Sequence, residues 1–154
     1  MQITRATDYA TRVMIFLAAL PPAAKAQSAA IARATDVPIS FLSKVMQRLV
    51  SAGFVASSRG SGGGFGLAVP RGKITMLDIL ETFEGETSLN LCLAHGRSCN
   101  RKSRCPAHEV WEEAQRALVG VLRQASLEKL AQAAFPSAAF RGKDVGTEAI
   151  QPVV

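Results

Sequence analysis

A chain of 154 residues with 48% apolar side chains is long enough for one ordinary domain plus an appendage, and its composition argues against global disorder. Residues 1–75 carry nine Lys/Arg against two Asp, and residues 76–154 carry nine against ten acidic side chains, so the net +6 comes entirely from the first half. A basic excess confined to one region is what nucleic-acid binding requires. No stretch approaches the length of a membrane span.

Tyr9, Val13, Phe16, Leu17 and Leu20 keep helical spacing, which predicts an amphipathic helix over about Thr7–Leu20 that stops before Pro21. The apolar run Val13–Leu20 followed by Ala24-Lys25-Ala26 imitates a secretory signal. Asp8 in the would-be positive region, Pro21-Pro22 directly after the run, and the helical period all argue against that reading. A short second helix is expected from Ser28, its cap, through Ala34. Thr35-Asp-Val-Pro38 then makes a turn, since the residue before a proline resists helix.

The next stretch organises the rest. From Ser40, a candidate cap, to Gly53, a candidate stop, Leu42, Val45, Met46 and Leu49 recur on one helical face. The opposite face carries Ser43, Lys44, Gln47 and Arg48, all able to meet phosphates or base edges. Two short strands follow, Phe54-Val-Ala-Ser57 and Phe65-Gly-Leu-Ala-Val69, around the loop Arg59-Gly-Ser-Gly-Gly-Gly64. A phosphate-binding glycine loop must lead into a helix, and this one leads into a strand, so nucleotide binding fails. Helix, turn, helix and glycine-tipped hairpin instead predict a winged helix-turn-helix that grips double-stranded DNA. Ser40, Phe41, Ser43, Lys44 and Gln47 are the candidates for major-groove contact. Arg59, Gly60, Ser61, Gly62 and Gly63 would approach the neighbouring backbone or minor groove, where an arginine on a flexible loop fits well.

Beyond the wing, Pro70-Arg-Gly72 reads as a turn, and Thr75 with Asp78 forms a capping pair for a helix of about Met76–Phe83. Residues 85–105 lack periodicity and hold Cys92, Cys99 and Cys105, with six and then five residues between them. An odd number of cysteines argues against a disulfide framework and toward a reducing, cytoplasmic setting. The spacing matches neither a zinc ribbon nor a bacterial ferredoxin run, but three thiolates on one loop can hold one metal centre. Cys105 opens a helix, whose dipole favours the thiolate, and His108 stands one turn further on the same face. Arg97, Arg101, Lys102 and Arg104 would offset a negatively charged cluster. Three unrelated thiols in a solvated basic loop remain the plain alternative. His108-Glu109 lacks the second histidine of a metalloprotease, since position 112 is Glu112, and no other catalytic set stands out.

The helix that starts at Pro106 carries Trp111, Ala114, Leu118, Val121 and Ala125 at alternating steps of three and four, a coiled-coil-like seam. It serves either for packing on the domain or, the preferred reading, for homodimerisation, since such proteins read two-fold operators as dimers. The expected organisation is therefore mainly α with a small β-hairpin wing. A winged helix-turn-helix domain spans 1–84, a cysteine loop 85–105, a dimerisation helix and short terminal helix 106–132, and a disordered tail 133–154.

Met1-Gln-Ile-Thr with Thr7-Asp-Tyr-Ala10, Leu49-Val-Ser-Ala-Gly-Phe-Val55, Ser58–Leu67, the three cysteines and Leu127-Glu-Lys-Leu130 together resemble the Rrf family of winged-helix iron–sulphur transcriptional regulators, whose branches include the NsrR-like and IscR-like proteins. The resemblance covers about residues 1–132. It implies a homodimeric, non-enzymatic regulator, a repressor by preference, that senses nitric oxide, iron or redox state through a 2Fe–2S or 4Fe–4S cluster on Cys92, Cys99 and Cys105. It also implies a fourth ligand: Asp8 from the partner subunit in the NsrR-like branch, or His108 in the IscR-like branch. Thr7-Asp-Tyr-Ala and Ala18-Ala-Leu-Pro21 resemble the former more closely. The six-residue first gap departs from the five common in several members. A cluster-free thiol regulator and a zinc-stabilised DNA-binding protein are the alternatives.

Overall fold

The computed structural model describes residues 3–60, 62–96 and 99–136. Among these residues six α-helices and one hairpin follow in order: α1 (Arg5–Ala19), α2 (Ser28–Thr35), α3 (Ile39–Ser51), β1 (Val55–Ser58), β2 (Gly64–Leu67), α4 (Met76–Glu84), α5 (Pro106–Gln124) and α6 (Leu127–Ala134). Helix α1 is the central post. Its Ala10, Val13, Met14 and Leu17 are all but fully buried, and α2, α3, α4 and α6 pack around them. Ile31 of α2, Leu42, Val45, Met46 and Leu49 of α3, Ile79 of α4 and Leu127 of α6 complete one contiguous core.

Local chemistry sets the element ends. The Thr4 hydroxyl caps α1, so this helix begins at Arg5, earlier than Thr7. Thr75 and Asp78 form the full reciprocal capping box on α4. Gly53, at φ 78°, ends α3 just after its last residue, and the Phe54 N–H reaches back to the Leu49 carbonyl at 3.1 Å. The sequence assigned two caps wrongly. Helix α3 starts directly after Pro38, which has no side chain able to cap, and this leaves Ser40 exposed within the first turn. Ser28 is the first residue of α2 and Gln27 the cap position, with no side-chain bond.

The hairpin pairs antiparallel in the register Val55↔Leu67 to Ser58↔Gly64. A third segment joins it: Ala26 bridges Phe65, with reciprocal hydrogen bonds of 2.9 Å. Beyond α4 the chain makes short 3₁₀ turns at Leu91–Leu93 and Lys102–Arg104 before α5. Helix α6 is tied to the start of α4 by the bridge Thr75↔Ser126. It runs to Ala134, and Phe135 is buried in the core, so order continues past the expected boundary at 132 because that aromatic ring has core to fill. Residues 137–154 of the expected tail lie outside the described residues.

Candidate functional site

Helix α3 sorts its residues as a reading helix must. Leu42, Val45, Met46 and Leu49 are buried, while Ser40, Phe41, Ser43, Lys44, Gln47 and Arg48 are exposed. Four buried apolar side chains fix the helix axis, and the polar row opposite is left to solvent. Arg48 is only partly free: its guanidinium lies 5.1 Å from the centroid of Phe83 on α4. Phe41 is also engaged, and its ring meets Tyr9 of α1 edge to face at 5.6 Å.

The wing follows α3 directly, and its first strand packs against that helix. Arg59, Gly60 and Gly62 are exposed and Gly63 is half-buried, whereas Ser61 lies outside the described residues. The glycines do different work. Gly60, at φ 103°, has open space where a Cβ would stand, so it supplies a turn. At Gly63 a Cβ would stand 2.5 Å from the Ser58 carbonyl oxygen, and at Gly64 2.6 Å from that of Ala26. Those two positions exclude any side chain because backbone passes there. The sequence showed the glycine run but not Ala24–Ala26, against which its far end is pressed.

The cysteine loop is held at its start. The Thr87 N–H donates to Glu81 of α4 at 3.2 Å, and the Leu89 N–H donates to Gln115 of α5 at 3.1 Å. His95 and Glu86 form an ion pair that closes the loop across Cys92. Hydrogen bonding to His95 holds the Glu86 carboxyl below the ordinary glutamate range, and the same bond raises the His95 imidazole. Cys92, Cys99 and Cys105 are all free thiols and half-buried. Cys105 occupies the cap position of α5, with Pro106 behind it. Arg101, Lys102 and Arg104 are exposed beside the thiols, and Arg97 lies outside the described residues.

The two candidates for a fourth ligand sit in opposite environments. Asp8 is on the surface of α1, half exposed and paired with Arg12 at 2.8 Å. His108 is buried on the first turn of α5, and its Nδ1 has no hydrogen-bond partner among the described residues. Three free thiols and an unpartnered buried imidazole nitrogen are the donor chemistry of an iron–sulphur or zinc centre. Within this single chain, no three His, Cys, Asp or Glu side chains among the described residues are gathered closely enough to hold a metal ion.

Sequence alone gave no hint of the Glu84 clamp. One carboxylate oxygen at the end of α4 accepts from the Thr4 N–H at 2.9 Å, the Thr4 hydroxyl at 2.7 Å and the Thr7 hydroxyl. The Thr7 bond is the main reason its carboxyl stays below the ordinary glutamate range, and the Thr4 bonds add to it. The clamp joins the α1 turn that bears Asp8 to the residue immediately before the cysteine loop.

A buried-faced reading helix, a two-stranded wing and a helical dock around α1 define a winged-helix protein of the DNA-binding regulator class. A family model described as "Rrf2: Iron-dependent Transcriptional regulator" matches residues 3–133, and the chain belongs to that family of transcriptional regulators. It is 34% identical over 131 residues to the HTH-type transcriptional regulator NsrR of Geobacillus kaustophilus, covering 84% of this chain and 89% of that one. Identity to the HTH-type transcriptional regulator IscR of Cronobacter sakazakii is 27% over 130 residues, with 84% and 80% covered. The solved structure of CymR, the global cysteine regulator of B. subtilis, superposes with a TM-score of 0.72 at 27% identity, covering 86% of this chain and 98% of that one. Among the described residues no helix is long and apolar enough to cross a membrane.

Proposed function

We propose that this regulator is a homodimeric, sequence-specific DNA-binding repressor whose operator affinity is set by the state of its cysteine loop. The observation that carries the DNA-binding part is α3, with one face locked in the core and Ser40, Ser43, Lys44 and Gln47 left to solvent, followed directly by the hairpin whose loop bears the exposed Arg59. Lys44 and Arg59 would anchor phosphates or enter a groove, and the polar side chains would read base edges.

Dimerisation rests on α5. His108 is its only buried residue, while Val110, Trp111 and Val121 are 64%, 42% and 68% exposed. A seam of apolar side chains left in water is the mark of an interface rather than of packing on the own domain.

For the sensor, the donor set and the likeness to NsrR and IscR support an iron–sulphur cluster held by Cys92, Cys99 and Cys105. When bound, such a cluster supplies chemistry that nitric oxide, oxidants or iron limitation can alter. Asp8 stands on the surface, where a second subunit can reach it, and this favours it over the buried His108 as the fourth ligand. Asp8 lies on α1, the post against which α3 packs, so any pull on that turn reaches the reading helix through packed side chains. A shift in the spacing of two reading helices would then change operator affinity.

A second reading, direct oxidation of the thiols without a cluster, is supported by the three free, half-buried thiols and by the likeness to Staphylococcus aureus CymR, whose structure is solved in an oxidised form. Anaerobic visible absorption of freshly purified protein, with iron, sulphide and zinc assayed on the same sample, decides between them. Charge-transfer bands with matching iron and sulphide, bleached by nitric oxide, support the cluster. Colourless protein that takes up no iron on anaerobic reconstitution overturns it: zinc then marks a structural site, and no metal leaves thiol chemistry. Independently, Arg59→Ala should weaken binding to a selected operator by roughly 1–3 kcal/mol in a gel shift, and unchanged affinity would remove the wing from the interface.

A further inference from the structure

In this fold class the first turn of the reading helix makes the base-edge contacts, so its placement matters most. That turn is poorly secured by its own helix. It follows Pro38 with no side-chain cap, Ile39, Ser40 and Phe41 are all exposed, and Leu42 is the first buried residue. The tie is made from outside. The Phe41 ring meets Tyr9 of α1 at a centroid distance of 5.6 Å and an interplanar angle of 74°, the edge-to-face geometry in which the positive rim of one ring meets the negative face of the other.

Each ring also carries a cation. The Arg12 guanidinium stands 6.0 Å from the Tyr9 centroid and the Lys44 ammonium 6.0 Å from that of Phe41. Asp8 holds Arg12 at 2.8 Å. The order Asp8–Arg12–Tyr9–Phe41–Lys44 is therefore one continuous ladder from the exposed start of α1 to the cation of the reading face. Phe41, 42% exposed, is a rung of it rather than a free side chain.

We infer that Tyr9 and Phe41 are a positioning pair that sets the first turn of α3, and Lys44 with it, and that Phe41 acts through this contact rather than by touching a base. The inference rests on the DNA-binding reading above, and one arm of its test does not. With the full chain, duplexes are selected by the wild-type protein from a randomised library. Affinity for a selected and an unrelated duplex is then measured for Tyr9→Phe, Tyr9→Ala, Phe41→Leu and the double variant Tyr9→Ala/Phe41→Leu.

A positioning pair predicts that Tyr9→Ala weakens the selected duplex about tenfold, the upper end of what such a contact is worth, and leaves the unrelated duplex unchanged. Tyr9→Phe, which keeps the ring, should match wild type, and the double variant should be no weaker than either single one. Without DNA, amide hydrogen exchange over residues 39–43 should quicken in Tyr9→Ala and in Phe41→Leu, while thermal melting shows that both remain folded. Wild-type affinity in Tyr9→Ala beside a loss in Phe41→Leu, or losses that add in the double variant, would assign Phe41 to direct base contact and overturn the pair. A wild-type chain that selects no duplex would overturn the DNA-binding reading, and the exchange arm would still decide whether Tyr9 holds the turn.

Discussion

Leu49 in the reading helix is fully buried, whereas Leu91 in the cysteine loop is 67% exposed. That contrast holds for the two regions at large. From α1 to the end of α4, apolar side chains at helical spacing meet in one core, and helix ends are closed by Thr4, Gly53 and the Thr75–Asp78 box. Among the described residues from Gly85 to Arg104, Thr87 alone is buried. The described residues of this segment are tied by hydrogen bonds to Glu81 and Gln115 and by a surface ion pair, and the buried Thr87 hydroxyl has no partner among them. The reading half is built by burial and is complete in one chain. The cysteine half holds two buried polar atoms, the Thr87 hydroxyl and His108 Nδ1, that have no hydrogen-bond partner among the described residues.

The sharpest way to break this comparison is to remove the same side chain from both regions. Leu49→Ala should cost about 2–5 kcal/mol in chemical denaturation, through lost burial plus a cavity in a core that cannot collapse. Leu91→Ala should stay within about 0.5 kcal/mol, as at other solvated positions. A comparable loss at Leu91 would mean that the loop has a packed interior of its own.

Glycine substitution gives the next largest difference. Gly64→Ala would set a Cβ 2.6 Å from the Ala26 carbonyl oxygen in a backbone conformation, φ 151°, that side chains rarely adopt, so the wing should open or lose about 2–3 kcal/mol. Gly96→Ala meets nothing within 4 Å and pays only its left-handed φ of 70°, roughly 1–2 kcal/mol at most. Thermal unfolding of the two variants should rank them in that order, and equal shifts would show that Ala26 gives way.

The same division governs what could be read in advance. Helical periodicity located α1, α3 and α4 to within a few residues, because a buried stripe of Val, Leu and Met leaves a pattern that packing then obeys. The Ser40 cap failed because Pro38 already fixes the helix start, and a serine in the first turn gains nothing from capping. Ala26 as a third wing segment was unreadable, since a single bridged residue has no period. In the cysteine loop the donor types were plain from composition. Their assembly was not, because ligand spacing in a non-periodic loop constrains geometry weakly and Asp8 and His108 stand on different helices. The Tyr9–Phe41 and Glu84–Thr7 contacts join residues far apart in the chain and need the fold itself to be seen.

Glu84 tests the join between the two regions. Its folded carboxyl titrates below the ordinary glutamate range, so its contribution is fully present above that range and is lost as pH falls through the lowered value. Melting curves of wild type and Glu84→Gln should differ at neutral pH and converge in acid, with faster exchange of amides 3–8 in the variant. A constant difference across pH would mean that the clamp works by shape and not by charge.

The smallest effect belongs to Glu86 and His95, which are surface groups and should leave the melting temperature unmoved. The His95 contribution is fully present below the ordinary histidine value and fades as pH rises through its raised one. That of Glu86 is present above the ordinary glutamate range and fades as pH falls through its lowered value, so the pair is complete only between the two. An NMR titration should find the His95 midpoint above the ordinary value in wild type and back at it in Glu86→Gln. If Glu86→Gln leaves the midpoint where it was, the pair does not persist in solution. Among the described residues the loop over Cys92 would then keep its hydrogen bonds to Glu81 and Gln115 and the packing of Leu91–Leu93 against α5.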